Sequence, residues 1–288
     1  MRAERTKSLT RCGSRCRGWG SLAVLALVAV LSIHGEARPA LVDEDSWREA
    51  RRELAAGKLA DAWDKLQELL ERYPEEAQLL QVVGLAALKR GEREAALAHV
   101  RKAVALAPDD VEALTLLGWL DMEVAGDVET AIESYRKAAA LKPDVPEVHN
   151  NLGVALKRNR DLEPAVGSFS RALELNPDFA QATSNRGWAY VDLGKWQEAR
   201  TDFEKSLVLQ PTDEAALYGL ARVRKELRDY SGAQEALTRL SGQSGNFVYW
   251  LEWAVVGLVR YYWVFLLLVL GLFFYYRYKA RRRVKVDG

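Results

Sequence analysis

Cysteine is nearly absent from this chain: 288 residues hold two, Cys12 and Cys16, both ahead of the first apolar run. No disulfide framework therefore staples the body of the protein. A C-x3-C pair with no histidine beside it matches metal-ligand spacing poorly and reads as two incidental thiols of a leader. Histidine is almost as scarce, with His34, His99 and His149 alone. His34 falls in the leader, and His149 falls on a helix. His99 stands beside Arg101 and Lys102 on a face expected to be exposed. No Ser/His/Asp grouping, metal-ligand spacing or phosphate-cradling glycine loop is present. The acidic pairs Glu75-Glu76 and Asp109-Asp110 lie at turns and helix starts, where carboxylates are favoured by the helix dipole. The expectation is a non-enzyme with no catalytic residue, no metal, no cofactor and no small-molecule substrate.

Positive charge is also missing where it would matter most. The net charge is +1, but residues 1–17 and 277–288 each hold six basic residues against one acidic, which leaves the middle at −9. An acidic middle lacks the basic face that nucleic acid requires, so no nucleic-acid partner is expected.

Both basic blocks flank apolar segments. Residues 19–33, WGSLAVLALVAVLSI, form a run of about 15, short of the roughly 20 a membrane span needs. With its basic start and the small residues Gly35 and Ala37, the stretch 1–37 reads as a signal peptide cut after Ala37 or as an uncleaved signal anchor. Near the other end, residues 254–276, AVVGLVRYYWVFLLLVLGLFFYY, are long enough to cross a bilayer. Aromatic residues crowd both limits of this run: Trp250, Trp253, Tyr261, Tyr262 and Trp263, then Tyr275, Tyr276 and Tyr278. That is the interfacial belt of a spanning helix. Arg260 lies within the run near its start, where its side chain reaches the interface. The basic tail 277–288 places the C-terminus in the cytoplasm and everything between the two apolar segments outside it. In a bacterium this is an inner-membrane protein with a periplasmic body. Residues 242–253 are left as a juxtamembrane linker.

Between these ends the chain repeats itself. Gly84, Gly118, Gly153 and Gly187 recur at intervals of 34 or 35. Each is followed by an alanine twelve or thirteen residues on, at Ala96, Ala131, Ala165 and Ala199, and each unit closes at Pro108, Pro143, Pro177 or Pro211. A fixed period of this length means stacked copies of one supersecondary unit. Residues 180–213 carry Gly187, Tyr190, Gly194, Trp196, Ala199, Phe203 and Pro211. In this pattern the chain resembles the tetratricopeptide repeat (TPR) family. It departs from the family pattern at Thr183 and Arg186, where Trp and Leu are usual. Six units result: 43–76, 77–110, 111–145, 146–179, 180–213 and 214–241. The first and last are the weakest matches, as capping units are, and 111–145 carries one extra residue near Gly126.

The resemblance implies an all-α fold: a right-handed α-solenoid of about six helix pairs over 43–241, followed by the transmembrane helix. It also implies a concave groove lined by the first helix of each pair, which takes a protein or peptide segment. In that register the groove receives Gln81, Leu85, Thr115, Trp119, Met122, Asn150, Val154, Lys157, Arg158, Ser184, Trp188, Tyr218, Arg222 and Lys225. Trp119 and Trp188 are the expected anchors. Asn151 and Asn185 occupy equivalent positions and suit a peptide backbone. Lys157, Arg158, Arg222 and Lys225 suit an acidic peptide or a C-terminal carboxylate. The expected function is a membrane-anchored scaffold or adaptor. The alternatives are a structural subunit assembled through its membrane helix, or a chaperone of envelope biogenesis.

Overall fold

The computed structural model describes residues 43–284, so the leader 1–37 lies outside the described residues. Among the described residues there are thirteen α-helices and no strand. They are α1 (Glu44–Ala55), α2 (Leu59–Arg72), α3 (Ala77–Arg90), α4 (Arg93–Leu106), α5 (Val111–Leu120) and α6 (Val128–Leu141). There follow α7 (Pro146–Arg158), α8 (Leu162–Leu175), α9 (Ala180–Asp192), α10 (Trp196–Leu209), α11 (Glu214–Glu226), α12 (Tyr230–Ser244) and α13 (Phe247–Val284). The first twelve form six helix pairs. The chain divides into two compact units within α9, one ending at Ala182 and the other beginning at Thr183.

The turn inside each pair has one solution. It carries a left-handed residue, at Gly57, Gly91, Gly126, Arg160, Gly194 and Arg228. Glycine takes this conformation without steric cost, whereas the two arginines adopt it against one. The turn between pairs ends on an aspartate that caps the next helix in two of the cases. Asp110 Oδ1 accepts from the Ala113 amide at 2.9 Å, and Asp213 Oδ1 from the Ala215 amide at 2.9 Å.

Among the apolar clusters of unit one, three pass the core from pair to pair along its first helices. The first joins Trp47, Leu54, Leu66, Leu79 and Val83, and the second joins Leu97, Val100, Leu116 and Leu120. The third joins Val111, Leu114, Ala138 and Val148. Small residues let the paired helices close. A Cβ on Gly153 would lie 2.6 Å from Phe169 Cε1, and one on Gly118 would lie 3.0 Å from the Tyr135 ring. The extra residue of 111–145 is taken up in a π turn, Asp121–Ala125, at the end of α5. This turn swings Asp121 inward, to 0% exposure, where Arg101 Nη2 of α4 donates to its Oδ1 at 2.7 Å.

Unit two has one continuous core: Phe203, Leu207, Leu217, Leu220, Val223, Leu237, Leu240 and Val256. Its departure from the family pattern at Arg186 is matched by a partner. Arg186 Nε and Nη2 donate to the two oxygens of Asp202, both at 2.8 Å, and hold the guanidinium firmly charged. Arg186→Leu should therefore cost about 2 kcal/mol or more, because it strands a buried carboxylate. The double variant Arg186→Leu with Asp202→Ala should recover most of that loss. Hydrogen exchange of the α9 and α10 amides reads both.

The C-terminal part differs from the expected linker. Residues 242–253 are not a linker. α12 runs to Ser244, Gly245 ends it in the left-handed region, and Asn246 starts α13 by accepting from the Val248 amide at 3.0 Å. α13 then continues unbroken to Val284. Its stretch Phe247–Tyr276 is long and apolar enough to cross a membrane by length and composition.

Candidate binding surface

Three helices of unit two present one aromatic row. Trp188 of α9 meets the edge of Phe203 at 5.4 Å between centroids and stacks on Tyr218 of α11 at 6.2 Å. Tyr218 in turn packs on Tyr249 of α13 at 5.7 Å, and its hydroxyl donates to Glu252 Oε1 at 3.2 Å. Trp188, Tyr218 and Tyr249 are all half-buried, so each is packed by its neighbour while keeping a face towards solvent. Asn185 and Arg222 are also half-buried, and Lys225 is exposed. Ser184 is buried.

The start of α13 thus stands where a further first helix would stand. α9, α11 and α13 begin at Ala180, Glu214 and Phe247, close to the repeat interval. Tyr218 and Glu252 are separated by one full interval. Sequence reasoning misses Tyr249 and Glu252. The signal is present, since the 34-residue interval carried on from 214 lands on Val248, one residue past the start of α13. It is masked by the hydropathy of the region, which reads as approach to a span.

Unit one corrects several expectations. Trp119 is 5% exposed and packs beside Leu97, Val100, Leu116 and Leu120, so it fills the seam between α4 and α5 and offers no anchor. Asn150 and Asn151 are buried as well, at 3% and 4% exposure. Asn150 Nδ2 donates to Asn151 Oδ1 at 3.4 Å, a pairing that faces the interior and not a peptide. Gln81, Leu85, Thr115 and Met122 are likewise buried. For Trp119 the physical reason is the aliphatic cluster that closes over it; the others are simply too little exposed to meet a partner. Val154 and Lys157 are half-buried, and Arg158 is exposed and ion-paired with Glu123. His99 is half-buried rather than exposed, and burial together with Lys102 pushes its imidazole below its ordinary value. His149 Nε2 lies 3.0 Å from the Pro143 carbonyl oxygen. Among the described residues, no three His, Cys, Asp or Glu side chains gather as metal ligands.

Comparison with known proteins agrees with this architecture. One family model, described as TPR repeat, matches residues 125–159, and another, described as tetratricopeptide repeat, matches 48–111 and 150–216. No curated protein matches the chain. Among solved structures, MamA is 23% identical with a TM-score of 0.52, over 57% of this chain and 95% of its own. PilF of Pseudomonas aeruginosa is 26% identical with a TM-score of 0.53, over 59% and 77%. YrrB, a TPR protein with an unusual peptide-binding site, is 21% identical with a TM-score of 0.53, over 65% and 96%. The repeat interval, the six helix pairs and these matches lead to one conclusion: the chain belongs to the tetratricopeptide repeat family.

Proposed function

We propose that this protein is a membrane-anchored scaffold that holds a segment of a partner protein on the aromatic row of its second unit, outside the cytoplasm. Members of the family typically bind protein or peptide partners and generally work without catalysis. The observation that carries the reading is the row itself. Trp188 stacks on Tyr218, and Tyr218 packs at a tilt on Tyr249, so little side-chain entropy is lost when a partner covers them, and each keeps an open face. Arg222 and Lys225 on α11 give that surface a basic border suited to an acidic segment or a chain terminus. The last helix of the row continues into the apolar stretch, so the binding face is joined directly to the anchor. Tethering raises the effective concentration of the scaffold at any membrane-embedded partner. The basic tail and the leader support a cytoplasmic C-terminus and a periplasmic body in a bacterial inner membrane.

The test is photo-crosslinking in native membranes from a probe at Tyr218 or, as control, at the outer-face residue Lys205. A partner crosslinked from position 218 and not from 205 is expected. A probe kept at Arg222 with Trp188→Ala and Tyr218→Ala in the same chain should lose that partner by about 30-fold, the equivalent of about 2 kcal/mol for buried anchors. Equal crosslinking with and without the two rings would remove the row from the function. Replacing 261–276 with an unrelated apolar span should leave the crosslink intact; its loss would favour assembly through the membrane helix instead.

A further inference from the structure

The repeats cover α13 only along its first turns. Val256 is buried in the core of unit two. A Cβ on Gly257 would come within 2.6 Å of Gln234 Nε2, and Arg260 Nη1 donates to Gln234 Oε1 at 3.1 Å. From Tyr261 to Tyr276 every described side chain is exposed. A crossing of about 20 residues that ends at Tyr276 begins at Gly257. The stretch capped by Gln234 therefore coincides with the upper edge of the span, and the last repeat reaches the bilayer.

Which part of the repeat reaches it follows from the hairpin. Gln234 and Gly257 stand eleven residues before and after the turn Gly245–Asn246, so α12 and α13 run antiparallel. From Gln234 back to Asp229 is about 8 Å further in the direction of the span, at helical rise. This puts the α11–α12 turn, 227–229, level with Tyr261, Tyr262 and Trp263. Aromatic residues at the start of a span mark the headgroup layer. Two cations sit at this turn. Lys225 and Arg228 are exposed and make no ion pair among the described residues. Glu226 and Asp229 are beside them, but Asp229 is occupied: its Oδ1 caps Gly232 at 2.9 Å and its Oδ2 lies 3.8 Å from Arg224. Arg228 also holds φ +63°, a conformation that four of the other five such turns give to glycine. The left-handed region crowds the Cβ of an arginine, so this charge is kept against a backbone penalty.

We propose that Lys225, Arg228 and Arg260 form a headgroup-binding edge that holds the last repeat on anionic phospholipid. The occupant is the lipid phosphate of the bilayer that α13 enters, and the inference rests on reading α13 as a span. Basic residues in this layer are each drawn to an anionic surface, and their attractions accumulate. Fixed at Arg260 and again at the turn, the repeat cannot swing freely about the membrane helix, and the aromatic row keeps one angle to the bilayer.

The experiment uses the full chain with Cys12→Ser and Cys16→Ser, reconstituted in phosphatidylcholine vesicles with or without phosphatidylglycerol. An environment-sensitive fluorophore is placed singly at Glu226→Cys in the turn, at Leu267→Cys in the span, or at Gln243→Cys at the far end of α12. Acyl-chain quenchers should quench position 267. Headgroup quenchers should quench position 226 severalfold more than position 243, and more so with phosphatidylglycerol present. Lys225→Glu with Arg228→Glu should abolish the quenching at 226 and leave that at 267 unchanged. Quenching at 267 without quenching at 226 overturns this inference and leaves the span standing. Quenching at 226 that ignores phosphatidylglycerol, or survives the charge reversal, overturns it equally. No quenching at 267 removes the span, and the headgroup edge with it.

Discussion

Phe203→Ala is expected to destabilise unit two by about 3–5 kcal/mol, the cost of emptying a large buried aromatic site. The ring is fully buried and is clamped from both sides by glycine. A Cβ on Gly187, in its own pair, would stand 2.9 Å from Cε1, and one on Gly219, in the next pair, 2.3 Å from Cζ. Trp188 closes the edge at 5.4 Å. The site cannot relax by moving a flexible side chain, because both walls are helix backbone. The same geometry predicts the converse. Gly219→Ala overpacks the ring and should cost about 1–3 kcal/mol alone. Combined with Phe203→Leu, which shortens the side chain, the pair should cost clearly less than the two singles added, because they share one contact. The measurement is hydrogen exchange on the full chain, read at the α10 and α11 amides. Phe203→Ala should speed exchange there by about a hundredfold or more if opening follows unit stability. A change below tenfold, or strict additivity in the double variant, would show that the ring does not join the two pairs.

Phe203 also shows why so much of the fold was legible. The repeat leaves its mark as small residues at a fixed interval, and small residues are demanded by backbone approach, which no local propensity explains. Gly153 against Phe169 and Gly187 against Phe203 are the same contact one unit apart. What was not legible depends on neighbours. Trp119 and Trp188 both follow the packing glycine by one residue, yet Trp119 is surrounded by aliphatic side chains that close over it, whereas Trp188 meets two rings and stays half open. Sequence register gives each the same position and cannot choose between seam and surface. Arg186 breaks the family pattern in sequence, but its partner Asp202 lies on the next helix at a spacing no motif encodes. The start of α13 was hidden for another reason: its aromatic and aliphatic residues satisfy both a packing helix and the approach to a span, and hydropathy alone does not separate the two uses.

The extra residue near Gly126 was visible as a count, but not its consequence, and that consequence is testable by pH. Arg101→Ala is expected to cost unit one about 2–3 kcal/mol at neutral pH, below the roughly 3–5 kcal/mol of a wholly buried pair. The discount reflects solvent screening, because the Arg101 side chain is more than half exposed whereas that of Asp121 is fully buried. Asp121 Oδ2 has no hydrogen-bond partner among the described residues. Burial, aided by the charge of Asp127, holds its carboxyl above the ordinary value even though Arg101 opposes the shift. An acid raised in this way binds its proton more tightly folded than unfolded. Its contribution to stability is fully present below the unfolded value, about 3.9, and is lost as pH rises through the folded one. Without Arg101 the folded value moves further up, so the penalty of the variant should be largest at pH 7 and shrink steadily towards pH 4. Arg101→Ala with Asp121→Asn has no buried carboxyl to titrate and should recover most of the loss, with no such pH slope beyond that of wild type. Opening free energies of the α4 and α5 amides, from hydrogen exchange at several pH values corrected for the intrinsic rate, measure all three chains. A penalty for Arg101→Ala that is the same at pH 4 and pH 7, or a double variant no better than the single, would mean that the π turn does not bury a charge that Arg101 is needed to hold.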